Sequence, residues 1–367
     1  MSPGLSVLVV DGSVYARMAY AGRLTAHPAV RAVETAATGE QAIERLRMHQ
    51  PDVVLLDVHM RRMDGVQVLE RILSEFPAPV VLLANSTEND ARDIITGLEQ
   101  GAVDYQLKPP SDEQWGQDDN LQRLVDKLAV AATVPINRPG GRPYLVPSHH
   151  PLKVPPCADR PGRVVVIGAS VGGPRSLMSL MPDLSPDPST GYLLVQHMDD
   201  FLSAPMAAHL DQQGPVTVRE ARRGDRLAGA GALLAPGRQH LVVASTGEVD
   251  FAEEPSHQRP RPLIDLTMET AARAFGPAAI GVILSGTGTD GITGAAAIKA
   301  AGGTVICEDE STCAVFDTCR SVIRNGYADI VVPVTGIGNE IAAASSPSGH
   351  GTRHAAGTHT GWRQPSR

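Results

Sequence analysis

Between residues 133 and 160 the chain carries seven prolines: Pro135, Pro139, Pro143, Pro147, Pro151, Pro155 and Pro156. The first six stand four residues apart, which no helix and no central strand tolerates, because each proline lacks an N–H and fixes φ. The segment reads as a semi-extended linker. What lies on either side of it reads as a domain of its own. Residues 1–132 alternate short β-branched runs (Leu5–Val10, Val30–Ala36, Val53–Leu56, Val80–Leu83, Tyr105–Leu107) with helical stretches near 16–25, 39–49, 65–76, 88–101 and 112–131. Five βα units of that spacing predict a parallel sheet with helices on both faces. The alternation resumes at Arg163, with strands expected at Val164–Ile167, Leu193–Gln196, Ile280–Leu284, Thr304–Cys307 and Ile330–Val332. Helices are expected from Pro174 and near 203–213, 263–275, 291–301 and 318–325, with a β-rich insert at 216–252 whose GALLAPGRQHLVVAS reads as two strands about a turn. The boundaries are thus 1–132, 133–160 and 161–345, and the tail 346–367, nearly devoid of apolar residues, is expected to be disordered.

Composition narrows the function. No apolar run approaches the roughly 18–20 residues that span a bilayer, so the chain is not membrane-embedded. The start, MSPGLSVLVVDGS, lacks the basic region of a signal peptide. Cys157, Cys307, Cys313 and Cys319 form no CxxC pair and read as reduced thiols of a cytoplasmic protein. The net charge is −8, yet residues 133–160 and 346–367 are each locally +3, so the two folded parts together carry −14. Surfaces that acidic bind phosphate backbones poorly, which argues against a nucleic-acid partner.

In parallel α/β sheets ligands bind beyond the carboxyl ends of the strands. Asp11 follows the first strand, Asp57 ends the third and Lys108, in KPP, follows the fifth. Two carboxylates and an ammonium at one edge suit a site that binds a divalent cation and accepts a phosphoryl group. Strand-end acids also cap helices, but capping does not call for all three residues together. LLDVHMRRMDGV and GAVDYQLKPP resemble the response-regulator receiver family, whose fold is flavodoxin-like. The resemblance implies Asp57 as phospho-acceptor, Lys108 as the phosphate-sensing lysine, Tyr105 as the switch aromatic, a histidine kinase as phosphodonor, and Mg²⁺ held by Asp11 and Asp57. Three departures stand out: Gly12 replaces an acid that normally ligates the metal, Ala84 replaces a Ser/Thr hydroxyl, and Arg61 replaces a common proline. Asn85 and Ser86 neighbour the lost hydroxyl. The expectation is a receiver that binds Mg²⁺ weakly.

In the C-terminal part, VVVIGASVGGPRSL is a strand, a Gly-rich turn and a helix. A dinucleotide loop is disfavoured, since Ser170 stands at the second glycine of GxGxxG and the next strand ends in Gln196–His197 rather than an acid. The glycines could simply allow close strand–helix packing. Alternatively GASVG satisfies G-x-S-x-G, with Ser170 as a nucleophile on a strand-to-helix turn. His197 after one strand and Asp290, in SGTGTDG after another, would meet Ser170 at the same sheet edge, as proton acceptor and orienting acid. The helix beginning near Gly172 offers N–H groups to an oxyanion. The order Ser, His, Asp is not that of α/β-hydrolases.

Together IGASVGGP, VQHM, EARRGD, LAPGRQHL, LSGTGTDG, AIKAAGG and EDEST, following a receiver and a linker, resemble the chemotaxis response-regulator methylesterases (CheB type). The resemblance implies a doubly wound α/β methylesterase domain that hydrolyses glutamate γ-methyl esters on chemoreceptor helices, often with glutamine deamidation. By it Ser170 is the nucleophile, His197 the general base and acid, and Asp290 the orienting acid. Backbone N–H groups of Val171, Gly172 and Thr287 form the oxyanion site, and no cofactor serves the esterase. Val171 and Thr287 replace a more usual Thr and Met, AVFDTCRS departs from the family's run, and RPLIDLTMET lacks serines common there. Two other classes remain open: a catalytically weak signalling adaptor of the same fold, and a nucleotide-dependent oxidoreductase using the turn at Gly168. His240 and His257 are read as packed or solvated, Cys307, Cys313 and Cys319 as buried thiols rather than a zinc site, and His350, His354 and His359 are assigned no role.

Overall fold

The computed structural model describes residues 4–60, 64–109, 118–136, 153, 155–157, 160–252 and 261–344. Arg61, His257, most of the linker, residues 112–117 of the fifth expected helix, and the tail with its histidines lie outside the described residues.

The first unit comprises β1 (Leu5–Val10), α1 (Val14–Ala26), β2 (Val30–Ala36), α2 (Gly39–His49), β3 (Val53–Asp57), α3 (Gly65–Glu75), β4 (Val80–Ala84), α4 (Glu88–Gln100), β5 (Asp104–Leu107) and α5 (Asp118–Ala131). Its sheet has the order β2-β1-β3-β4-β5, parallel throughout, as the βα alternation predicts. Every residue of β3 and β4 is buried, as expected of strands covered by helices on both faces. Ser13, Thr38, Asp64 and Thr87 cap the helices that follow them, and Thr87 forms a full capping box with Asp90.

The second unit runs β6 (Arg163–Ala169), α6 (Gly173–Leu180), β7 (Thr190–Gln196), α7 (Asp200–Gln213), β8 (Thr217–Glu220), β9 (Gly231–Leu234), β10 (His240–Val243), β11 (Val249–Ala252), α8 (Ile264–Phe275), β12 (Ala279–Ile283), α9 (Ile292–Ala300), β13 (Thr304–Glu308), α10 (Asp317–Arg324), β14 (Ile330–Val332) and α11 (Val334–Ala344). Seven strands form a parallel sheet ordered β14-β13-β12-β6-β7-β9-β8. From β6 the chain winds one way through β7 and returns to the other side through β12, so the crevice above β12, β6 and β7 is the topological switch point. The insert's two expected strands exist but do not pair with each other: β9 lies parallel between β7 and β8, and β10 forms an antiparallel hairpin with β11. Helix α11 was not foreseen. The end of the linker lies on this unit, where the Cys157 N–H donates to Gly229 O at 2.8 Å.

The two units touch. Helix α4 packs against α6 and α7. Val171, Ala314 and Val315, from loops beside Ser170, share one apolar cluster with the receiver's Leu124, Val125 and Leu128 and with Val134 and Ile136 at the start of the linker. Among the described residues no helix is long and apolar enough to cross a membrane.

Candidate active site

Neighbouring strands deliver the three expected catalytic residues. The register pairs Ala169 with Gln196, so Ser170 and His197, each the next residue along its strand, emerge side by side. The His197 ring holds Ser170 Oγ at 2.9 Å through Nδ1 and Asp290 Oδ2 at 2.7 Å through Nε2. A carboxylate only accepts, so Nε2 carries the proton and Nδ1 presents its lone pair to the serine hydroxyl. The nitrogens thus exchange the places they take in the serine-protease template, with the same logic. Asp290 is fixed by the amino end of α8: the Ile264 N–H donates to Oδ2 at 2.8 Å and the Asp265 N–H to Oδ1 at 2.9 Å. Ser170 and Asp290 are buried, 9% and 8% exposed, which leaves the nucleophile reachable only from the crevice.

The turn after Ser170 depends on glycine. Gly172 has φ +75°, and a Cβ there would lie 2.5 Å from Ala314 Cβ and 2.6 Å from Ser285 Oγ. Gly286 must also stay bare, since its Cβ would stand 2.9 Å from Ser170 Cβ. Thr287 follows Gly286 and so lies beside the nucleophile. The N–H groups of Val171, Gly172 and Thr287 make no hydrogen bond among the described residues, whereas that of Gly173 donates to Ser170 O.

Four residues that sequence reasoning did not single out complete the scaffold. Gln196 Nε2 donates to Ser170 O at 2.9 Å and to His197 O at 3.0 Å. Asp265 Oδ1 receives the N–H groups of Gly291 and Gly294, next to Asp290. Ser285 O accepts the Ser170 N–H at 2.9 Å, and Glu308 Oε2 accepts the Ser285 N–H at 2.9 Å. Only EDEST and SGTGTDG hinted at the last two. His240 is a packed histidine, its Nδ1 accepting the Leu263 N–H at 3.0 Å. Cys307, Cys313 and Cys319 are buried free thiols, and no group of three or more His, Cys, Asp or Glu fit for a metal ion occurs among the described residues.

At the receiver's sheet edge, Lys108 Nζ bridges Asp11 Oδ2 and Asp57 Oδ1, 2.9 Å from each. Burial pushes the Asp57 carboxyl above its ordinary range, against the pull of the Lys108 ammonium. Burial alone would lower the Lys108 pKa, but the two carboxylates outweigh it and hold it above the usual lysine range. Asp11 Oδ1 accepts the Ser13 N–H, so both its oxygens are engaged. Gly12 adds no ligand, so Asp11 and Asp57 are the carboxylates this edge offers a cation, both paired with Lys108. Ala84 is buried, Asn85 and Ser86 are exposed, and Thr87 is committed to Asp90. Tyr105 points to the other unit. Its hydroxyl donates to Asp199 Oδ2 at 3.0 Å and accepts the Asp199 N–H at 2.9 Å, two residues beyond His197.

Comparison with known proteins decides the family. The family model "CheB methylesterase" matches residues 165–341, and "Response regulator receiver domain" matches 7–117. A protein-glutamate methylesterase/protein-glutamine glutaminase of Symbiobacterium thermophilum is 35% identical over 93% of this chain and 97% of its own length. The chain belongs to the CheB methylesterase family. A similarly named protein of Thermotoga maritima is 35% identical over 90% of this chain and 95% of its own. The crystal structure of the Thermotoga maritima CheB methylesterase catalytic domain matches at 40% identity, covering 49% of this chain and 97% of that one, with a TM-score of 0.47. This CheB-family chain is thus a hydrolase with a receiver domain, and neither the adaptor nor the oxidoreductase reading is favoured.

Proposed function

We propose that this chain hydrolyses γ-methyl esters of glutamates on the cytoplasmic helices of chemoreceptors, and deamidates glutamines at such sites, through Ser170, His197 and Asp290. The observation that carries the reading is the imidazole suspended between Ser170 Oγ and Asp290 Oδ2. As Oγ attacks the ester carbonyl, its proton passes to Nδ1. Asp290 steadies the imidazolium through Nε2–H. The N–H groups of Val171, Gly172 and Thr287 receive the developing oxyanion. Collapse of the tetrahedral intermediate transfers the Nδ1 proton to the departing methoxide, releasing methanol and leaving an acyl ester on Ser170. Water, deprotonated by the same nitrogen, then restores the serine and frees the glutamate. An amide follows the same route with ammonia as leaving group. No cofactor takes part.

The receiver is proposed as the regulator, phosphorylated at Asp57 by a histidine kinase in the cytoplasm. The Tyr105–Asp199 bonds and the apolar cluster reaching Val171 support a receiver that sits over the crevice and withdraws when Asp57 is modified. Mg²⁺ is expected to bind it weakly. The test is incubation with a methylated receptor cytoplasmic fragment: methanol should appear in step with conversion of glutamate methyl ester to glutamate. A receptor left fully methylated by a folded, phosphodonor-treated enzyme would refute the reading.

A further inference from the structure

Glu308, the last residue of β13, is wholly buried at 0% exposure directly beneath the nucleophile turn. Its Oε2 accepts the Ser285 N–H at 2.9 Å, and Oε1 has no hydrogen-bond partner among the described residues. Ser285 is the hub of the turn: its carbonyl accepts the Ser170 N–H at 2.9 Å, its hydroxyl donates to Val171 O at 2.8 Å, and that hydroxyl accepts the Val315 N–H at 2.9 Å. Glu308 therefore reaches both sides of the nucleophile through one residue. A carboxyl so placed costs desolvation free energy that an apolar side chain would not.

We propose that Glu308 is a positioning residue for the esterase: its carboxyl, acting through Ser285, fastens the turn that carries Ser170 and Val171. The inference rests on the serine-hydrolase reading above. The groups facing Glu308 are the Ser176 hydroxyl of α6, the Ser285 backbone, and the Thr312 hydroxyl and Cys313 thiol of the loop after β13. None of these groups is cationic. The next acids along the loop turn elsewhere, Asp309 to Ser311 and Glu310 to Arg320. Burial accordingly pushes the Glu308 pKa up, against the pull of the nearby Ser176 and Thr312 hydroxyls and the Ser285 N–H. A raised folded-state pKa means stabilisation that is fully present below the unfolded pKa and lost as pH rises through the folded one. The turn should therefore loosen on the alkaline side as the carboxyl ionises.

The experiment follows Ser170 directly. Full-length wild type, Glu308→Gln, Glu308→Ala and Ser170→Ala are labelled with a fluorophosphonate probe across pH, alongside kcat and KM for p-nitrophenyl acetate. Glu308→Gln keeps the shape and a polar group without an ionisable proton. It should label within about twofold of wild type at low pH and lack the wild type's alkaline fall. Glu308→Ala should lose on the order of 10²-fold in labelling rate and kcat with KM little changed, as expected for a nucleophile displaced by about an ångström. The inference is overturned by Glu308→Ala labelling at the wild-type rate, or by Glu308→Gln showing the same alkaline fall as wild type. Should Glu308→Ala not fold, the Glu308→Gln pH profile decides alone. A wild type that the probe does not label overturns the serine-hydrolase reading and this inference with it. A labelled wild type with unaffected Glu308 variants overturns only this inference.

Discussion

At the scale of single residues, the proposed catalysis turns on which nitrogen of His197 bears a proton. Asp290 settles it by accepting from Nε2, and the backbone of α8 holds Asp290 in place. Asp290→Asn would put an amide donor against Nε2 and favour the tautomer with Nδ1–H, which cannot take the serine proton. Its methanol-release rate should fall on the order of 10⁴-fold with the circular dichroism spectrum unchanged; a loss under tenfold would remove Asp290 from its role. In the receiver, adding the two groups that Gly12 and Ala84 lack should strengthen the proposed response. Gly12→Asp with Ala84→Ser should raise Mg²⁺ affinity, read by calorimetric titration, and enlarge the gain in esterase rate on adding acetyl phosphate. Tight Mg²⁺ binding and strong activation in the wild type would contradict the weakened-receiver account. Strand ends made the clustering of Ser170 with His197 and of Asp11, Asp57 and Lys108 legible in the sequence, because the carboxyl edge of a parallel sheet is where ligands bind. The roles of Gln196, Asp265, Ser285 and Glu308 were not legible: their hydrogen bonds run to backbone groups, some far along the chain, and backbone groups leave no trace in residue identity.

Among elements, the sharpest demand falls on the turn between β6 and α6. Gly172 combines a positive φ with close neighbours on its Cβ side. Gly172→Ala should therefore cost about 1–3 kcal/mol of stability and slow ester hydrolysis more than a distant surface change does. Denaturant midpoints and methanol release would check this; an unchanged midpoint would show that the turn relaxes freely. The alternation of strands and helices was readable throughout, because fully buried parallel strands appear as continuous β-branched runs. Three details escaped. Helix α7 begins at Asp200 rather than 203 and keeps Pro205 inside it, whereas proline ordinarily marks a first turn. Strands β9 and β10 joined different sheets, a choice of partner that short runs do not encode. Helix α11, VTGIGNEIAAA, holds two glycines and β-branched residues that mask its helical period; it is fixed by burying Val334, Ile337 and Ile341.

For the whole molecule, the proposal that the receiver governs the esterase rests on contacts between the two units. Tyr105 of the receiver binds Asp199, two residues from His197, and one apolar cluster holds both the receiver's Leu124, Val125 and Leu128 and, from the other unit, Val171. Burial and the Asp199 carboxylate hold the Tyr105 phenol well above its ordinary pKa, so it remains a neutral donor. Deleting residues 1–132 should raise the unphosphorylated esterase rate, because an occluding domain lowers the competent fraction, and Tyr105→Phe should raise it part-way. Unchanged rates in both folded variants would assign the receiver to targeting instead. The most direct test of the account compares initial rates of methanol release from a methylated receptor fragment by wild type and Ser170→Ala. The variant loses the nucleophile while its backbone contacts at Ser285 and Gln196 remain, so release should fall roughly 10⁴–10⁶-fold with an unchanged melting temperature. Release by Ser170→Ala at near the wild-type rate would contradict it.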